Sequence, residues 1–131
     1  MTWFVSAHDT TINAREFPGV KVKERLKKIE ISGFSRMVNP ADYYEGLRKM
    51  IENNFLAFGK TLILDFRLEY INTSSMKWLF QMITSFQTTA LSGLAEINWY
   101  YEEDDEIILE TGEILRSLVK IPFHLKRIMF E

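Results

Sequence analysis

Four side chains that could carry chemistry stand together near the middle of the chain, where Asn72 is followed by Thr73, Ser74 and Ser75. An amide or a hydroxyl at the start of a helix can cap that helix. A hydroxyl can also accept a phosphate group, which adds about −1.5 to −2 charges. Residues 72–75, called the hydroxyl turn below, are therefore either a simple helix cap or a phosphorylation site.

The hydroxyl turn lies between a predicted strand and a predicted amphipathic helix. Residues 61–68 alternate, with the apolar side chains Leu62, Leu64, Phe66 and Leu68 on one face. After the turn, apolar residues recur at helical spacing, at Met76, Leu79, Phe80, Ile83 and Phe86. Such a turn points backbone N–H groups and the positive end of a helix dipole outward, which favours added negative charge.

The preceding part of the chain predicts a strand pair and a helix. Residues 20–31 alternate in two runs, which predicts two strands joined through the basic segment 23–28 and ended by Gly33. Asn39 suits a helix N-cap and Pro40 the first helical position. Gly59 is a plausible end for this first helix.

The following part predicts a strand, a helix and a last strand. Residues 95–101 alternate, and a third helix ends before Pro122, followed by a strand within 123–130. The predicted apolar stripe of the third helix comprises Ile107, Ile108, Thr111, Ile114, Leu115, Leu118 and Val119. Strands and helices thus alternate in the order β-β-α-β-α-β-α-β, which predicts an α/β fold with a mixed sheet.

The alternation within the strands predicts where the helices lie. A strand covered by helices on both sides is nearly continuously apolar, whereas residues 61–68 alternate and place Asp65 and Arg67 on their second side. We therefore expect amphipathic helices mainly on one face of the sheet, within a single domain spanning residues 1–131. Residues 1–14 are weakly patterned and are expected to form a loose or edge segment.

Composition narrows the class of protein. The chain has 131 residues, 47% of them hydrophobic, a net charge of −2 and no cysteine. These values are typical of one folded domain without disulfides or thiolate metal sites, and they do not indicate a nucleic-acid partner. No apolar run reaches transmembrane length and no signal peptide is apparent, so we expect a cytoplasmic protein without membrane insertion.

Catalytic motifs are scarce. His8 and His124 are far apart in sequence, and no glycine-rich loop could cradle a phosphate. Asp65 and Glu69 lie four residues apart on a predicted strand, roughly 13 Å along it, which is too far for a glycosidase pair. We predict no catalytic residue, metal or cofactor. The alternative enzyme reading is a small metal-dependent hydrolase using Asp65 and the acidic run at 102–106.

The acidic run itself has two readings. Residues 102–106 are all Asp or Glu and precede the third predicted helix. Acidic side chains at a helix start oppose the dipole favourably, which predicts a solvated helix start. The other reading is a docking patch for a partner protein.

Three ordered blocks of the sequence resemble the SiaC-type regulatory phosphoproteins, which are related to the STAS-domain anti-sigma-factor antagonists. The first block runs from Gly33-Phe34-Ser35 to Tyr43-Tyr44-Glu45, and the second is Leu68 to Lys77 around Asn-Thr-Ser-Ser. The third comprises residues 99–106, 110–113 and Pro122-Phe123. The chain departs from the family at Met37 and Val38, where Pro-Glu is usual.

This resemblance implies a STAS-like fold and a non-enzymatic switch. A dedicated Ser/Thr protein kinase would phosphorylate the threonine of Asn-Thr-Ser-Ser, here Thr73, and a PP2C-type phosphatase would remove the phosphate. The unphosphorylated form would bind and activate a diguanylate cyclase, raising cyclic di-GMP and favouring biofilm or aggregation. The expected partner-binding residues are Tyr70, Asn72, Thr73, Ser74, Ser75 and Lys77. The alternatives are an antagonist-type switch with a different output partner and an assembly subunit.

Overall fold

The computed structural model describes residues 16–94 and 96–129. The predictions for residues 1–14, Ala95 and Phe130 lie outside this part. The order of strands and helices matches the predicted order β-β-α-β-α-β-α-β. The strands are β1 (Gly19–Lys23), β2 (Lys28–Ser35), β3 (Ile63–Ile71), β4 (Glu96–Glu102) and β5 (Phe123–Ile128), and the helices are α1 (Ala41–Ala57), α2 (Thr73–Ser85) and α3 (Glu106–Leu118).

The five strands form one mixed sheet in the order β1-β2-β3-β4-β5. β1 and β2 are antiparallel, and each later pair is parallel and joined through a helix. The register aligns a buried apolar row on one face, made of Ile29, Leu64, Ile97 and Phe123. The next row, on the opposite face, is polar and is made of Glu30, Asp65, Asn98 and His124. The helices therefore cover one face, as the alternation predicted.

The opposite face is less open than the sequence suggests. Asp65 and Asn98 lie at its centre and are only 3% and 2% exposed. Lys28 pairs with Asp65 at 3.2 Å, and Asn98 Nδ2 donates to Asp65 Oδ1 at 2.9 Å. The guanidinium of Arg67 lies 3.9 Å from the centre of the Tyr100 ring. Long polar side chains thus form a layer that shields the sheet centre. A buried carboxylate is unfavourable unless it is paired, and here Lys28 and Asn98 supply the donors for Asp65.

Two predicted boundaries shift in the structure. Gly33 does not end β2, which continues to Ser35; instead Gly33 has a φ of +107° beside an irregularity in the β2–β3 pairing. α1 begins at Ala41 with Pro40 in the cap position, so Asn39 is not the N-cap. Gly59, with φ +78°, follows the end of α1 as predicted, because an L side chain rarely adopts this conformation.

The apolar stripe predicted for α3 is only partly buried. Ile108, Thr111 and Leu115 are buried against the sheet, but three other members are exposed, namely Ile107, Ile114 and Leu118. α3 approaches the sheet closely at Gly112, where an added Cβ would lie 2.4 Å from Trp99 Cδ1. This approach turns one narrow face inward and leaves the rest of the stripe outside. Within the described residues, no helix has the length and apolar character needed to cross a membrane.

Candidate functional site

A bulge in β3 sets the direction in which the chain enters the hydroxyl turn. Gly33 is paired with Leu68 and Phe34 with Tyr70, so Glu69 is the extra residue in β3. Leu68 and Ile71 are both buried, whereas Tyr70 is 47% exposed. The bulge therefore reverses the alternation just before the turn, as bulges beside functional sites often do. The apolar spacing from Leu68 to Ile71, three residues instead of two, is the sequence signal for it.

Asn72 caps α2 and ties it to the neighbouring strand. Its Oδ1 accepts a hydrogen bond from the Ser75 N–H at 2.8 Å, and its Nδ2 donates to the Met37 carbonyl at 3.2 Å. The Asn72 backbone N–H donates to the Ser35 carbonyl at 2.9 Å. Asn72, Thr73 and Ser74 could each cap this helix, and in the structure Asn72 is the cap. The cap accounts for the amide and leaves the three hydroxyls without a capping role.

The three hydroxyls differ in their surroundings. Thr73 and Ser74 are exposed, and neither hydroxyl makes a hydrogen bond within the described part of the chain. Ser75 is fully buried, and its Oγ has no hydrogen-bond partner among the described residues. The prediction that Ser75 shares the partner-binding surface does not fit this burial, because Ser75 lies on the core face of α2.

Other predicted contact residues lie on the surface. Lys77 is exposed one turn into α2, with its Nζ 5.9 Å from the centre of the Trp78 ring. Val38, which was not predicted as a contact residue, is 85% exposed and follows Met37, whose carbonyl accepts a hydrogen bond from Asn72. The parallel order of β2 and β3 was the available signal, because the carboxyl ends of parallel neighbours meet at one sheet edge.

A buried hydroxyl pair supports the turn from below. Ser35 and Tyr44 are buried, and their side-chain oxygens lie 2.7 Å apart. Burial raises the pKa of Tyr44 well above its ordinary value, although the hydrogen bond with Ser35 acts in the opposite direction. The Tyr44 hydroxyl therefore stays protonated at neutral pH. This pair fixes the end of β2, whose Ser35 carbonyl binds the Asn72 N–H.

The acidic run provides the start of α3. Asp105 is the N-cap, and its Oδ1 accepts a hydrogen bond from the Ile108 N–H at 3.1 Å. Glu103, Asp104 and Glu106 are exposed around it. The predicted helix start is confirmed, and docking remains a prediction. Across residues 16–94 and 96–129, no three His, Asp or Glu side chains are grouped so that they could hold a metal ion.

A family model matches most of the sequence, including the hydroxyl turn. A family model described as "SiaC family regulatory phosphoprotein" matches residues 7–128. An uncharacterized protein of Pseudomonas aeruginosa strain UCBPP-PA14 is 31% identical over 91 residues, which is 66% of this chain and 72% of that protein.

Two solved structures with the same fold contain a protein of Pseudomonas aeruginosa. The chain is similar to SiaC in the crystal structure of the diguanylate cyclase SiaD with its activator SiaC from Pseudomonas aeruginosa. The TM-score is 0.72 at 22% identity, covering 87% of this chain and 94% of that chain. The apo form of SiaC from this bacterium gives a TM-score of 0.69 at 23% identity, covering 86% and 92%. These structures confirm the α/β fold class with its mixed sheet; the relation to STAS domains remains a prediction.

Proposed function

The chain belongs to the SiaC family of regulatory phosphoproteins, and we propose that it is a phosphorylation-controlled partner switch in bacterial signalling. In its unphosphorylated form it binds and activates a diguanylate cyclase, which raises cyclic di-GMP and favours biofilm. A Ser/Thr protein kinase blocks this binding by phosphorylating Thr73, and a PP2C-type phosphatase restores it. The protein acts in the cytoplasm by binding and not as an enzyme.

The observation that carries the proposal is the state of Thr73. Its hydroxyl is exposed and free of hydrogen bonds within the described residues, while Asn72 already caps the helix. A kinase can therefore reach the hydroxyl without unfolding the turn. The first turn of α2 contains no acidic residue. A phosphate there meets the positive end of the helix dipole, so the fold tolerates it.

The same phosphate acts differently in an interface. Tyr70 and Val38 expose apolar surface beside the turn, and Ser74 and Lys77 supply polar contacts. A phosphate buried in an interface where the partner protein supplies no basic group costs about 2–5 kcal/mol of binding free energy. At about 1.4 kcal/mol per tenfold change, this lowers affinity roughly 30-fold to several thousand-fold. One modification thus leaves the fold intact and strongly weakens binding.

The partner assignment comes from a relative with the same fold. SiaC of Pseudomonas aeruginosa is the activator of the diguanylate cyclase SiaD, and the two form a complex in the structure that this fold resembles. The fold similarity covers most of both chains, which supports a cyclase as the partner of this chain as well.

Kinase treatment followed by peptide mass spectrometry tests the acceptor. The full chain is incubated with its cognate kinase and ATP, beside the variants Thr73→Val and Ser74→Ala. We expect phosphate on Thr73 in the native chain and in Ser74→Ala, and none in Thr73→Val. Phosphate on Ser74, or on another residue of the native chain, contradicts the assignment.

Calorimetric titration against the cyclase tests the output. We expect Thr73→Ala to bind like the native chain, and Thr73→Asp and the phosphorylated chain to bind more weakly. If the kinase phosphorylates the native chain but the unphosphorylated chain does not bind the cyclase, the proposed output partner is wrong. The remaining reading is then an antagonist-type switch with another partner.

A further inference from the structure

Arg36 lies beside the hydroxyl turn in an unusual setting. Its guanidinium carbon is 4.7 Å from the centre of the Phe34 ring and 5.5 Å from that of Tyr70. These two rings are paired across β2 and β3 just after the bulge, which brings Tyr70 out of the core. The guanidinium thus rests on two aromatic faces at the carboxyl end of the sheet, and among the described residues its side chain is held by weak cation–π attraction.

The charge of Arg36 is not neutralised by an ion pair in the described part of the chain. Its backbone N–H donates to the Glu16 carbonyl at 2.8 Å, but no described carboxylate lies within ion-pair distance of its side chain. Two other arginines differ, since Arg48 pairs with Glu45 and Arg67 with Glu30. Arg36 is also exposed, so it can change partner without disturbing the core.

The backbone places Arg36 next to the residue that the kinase would modify. Ser35 pairs with Ile71, and the Asn72 N–H donates to the Ser35 carbonyl. Arg36 is therefore the neighbour of Asn72 across the strand pair, at about 5 Å. Thr73 is one residue further, about 4 Å along the chain. An extended arginine side chain can cross this distance.

We propose that Arg36 binds the phosphate on Thr73 within the same chain. This inference rests on the proposed function, because it requires phosphate at Thr73. The planar guanidinium fork matches two phosphate oxygens, and a charge-assisted pair of this kind is stronger than an exposed cation–π contact. The guanidinium then leaves the rings of Phe34 and Tyr70. Phosphorylation therefore adds charge at Thr73 and also uncovers two aromatic faces beside it.

A titration of the phosphate by ³¹P NMR tests the contact. The full chain is produced with phosphothreonine incorporated at position 73 during translation, in native and Arg36→Gln forms. The second pKa of a phosphate ester is about 6, and a bound cation favours the doubly charged form. We expect Arg36→Gln to raise the phosphothreonine pKa by roughly half a unit to one unit relative to the native chain.

A matched variant separates contact from overall charge. Arg25 is an exposed arginine in the short 3₁₀ turn between β1 and β2, at the opposite end of the sheet. Arg25→Gln removes the same charge and should leave the phosphothreonine pKa unchanged. Equal pKa values in the native chain and Arg36→Gln overturn the proposal. An equal shift in Arg25→Gln overturns it as well, because the effect is then one of net charge.

A second measurement does not depend on a variant that must fold. In the native sequence, the ring proton shifts of Phe34 and Tyr70 are compared with and without phosphate on Thr73. We expect both rings to shift together as the guanidinium leaves them, and unchanged shifts overturn the proposal. Because translation installs the phosphate, this result is separate from the kinase assay. A kinase that modifies another residue contradicts the proposed function and leaves the measured Arg36 contact as it is.

Discussion

Two strand-to-helix turns in this protein share one capping hydrogen-bond pattern but carry different side chains. In each, a side-chain oxygen of the N-cap residue accepts a hydrogen bond from the backbone N–H three residues later. Asn72 Oδ1 accepts from the Ser75 N–H in one turn, and Asp105 Oδ1 accepts from the Ile108 N–H in the other. The turn before α3 carries the carboxylates of the acidic run. The turn before α2 has no acid in its first turn and carries hydroxyls instead.

The difference shows how one local structure can serve two purposes. The start of α3 has its negative charge permanently, in Asp105 and Glu106, so its dipole is already opposed. The start of α2 has a neutral cap in Asn72 and an exposed acceptor in Thr73. Negative charge can therefore be added to the hydroxyl turn by modification, which is what a switch requires.

The two helices also differ in how tightly they are fixed, and Gly112→Ala should give the largest effect. The added Cβ would lie 2.4 Å from Trp99 Cδ1 and 2.6 Å from Nε1. Trp99 is fully buried, and its Nε1 donates to the Ile108 carbonyl. Moving its ring away would therefore disrupt both its packing and this hydrogen bond. We expect a loss of about 2–3 kcal/mol in the free energy of unfolding, measured with urea.

Glu113→Ala, at an exposed neighbour in the same helix, serves as the control. It should change stability by less than about 0.5 kcal/mol. A similar stability for Gly112→Ala and the native chain would mean that α3 does not pack this closely on Trp99.

Removing each cap compares the turns directly. Asp105→Ala loses one capping bond and should cost about 1 kcal/mol. Asn72→Ala also loses the bond from Nδ2 to the Met37 carbonyl, so it should cost about 2 kcal/mol. Thermal unfolding of both variants measures the difference. Equal losses would show that the tie to Met37 contributes nothing to stability.

Ser75→Ala should stabilise the fold. The Ser75 hydroxyl is buried, and its Oγ lacks a hydrogen-bond partner among the described residues, which is unfavourable. Replacing it with a methyl group should raise the free energy of unfolding by about 1 kcal/mol. Ser74→Ala, at an exposed hydroxyl, is the matched control and should change it by less than about 0.5 kcal/mol. If Ser75→Ala is less stable than the native chain, the Ser75 hydroxyl makes a hydrogen bond in the folded protein.

Charge changes at the two helix starts should give the smallest effects, with opposite signs. Thr73→Asp adds a negative charge near the start of α2 and should be about 0.5 kcal/mol more stable than Thr73→Asn. Glu106→Gln removes a negative charge from the start of α3 and should be about 0.5 kcal/mol less stable than the native chain. Unfolding at low and high salt checks this, because screening should shrink both differences. A destabilising Thr73→Asp would mean that phosphate disturbs the fold.

Local patterns determined much of the architecture. The alternation in residues 61–68 predicted a sheet covered by helices on one face, because side chains alternate across a strand. The hydroxyl turn and the acidic run predicted two helix starts, because the residues that cap a helix lie directly before it. The resemblance of three ordered blocks predicted the family. The roles of Thr73, Tyr70, Ser74 and Lys77 in the switch remain predictions.

Other features depended on contacts between distant residues. Gly33 was expected to end a strand, but pairing with β3 extends β2 to Ser35. The bulge at Glu69 exposes Tyr70, and the core face of α2 buries Ser75, although both were expected to share one surface. Asn39 gave way to Pro40 at the start of α1. Each outcome depends on how one element packs against another, and among them only the bulge has a local signal, the three-residue apolar spacing from Leu68 to Ile71.

The sequence by itself determined that an amide and three hydroxyls stand between a strand and a helix. Only the tertiary structure decided that Asn72 caps the helix, that Ser75 is buried and that Thr73 is exposed. Side-chain types and spacing limit which residues of a turn can cap the helix that follows. Its exposed residues are chosen by the packing of α2 on the sheet and by the bulge in β3, which act over residues far apart in the chain.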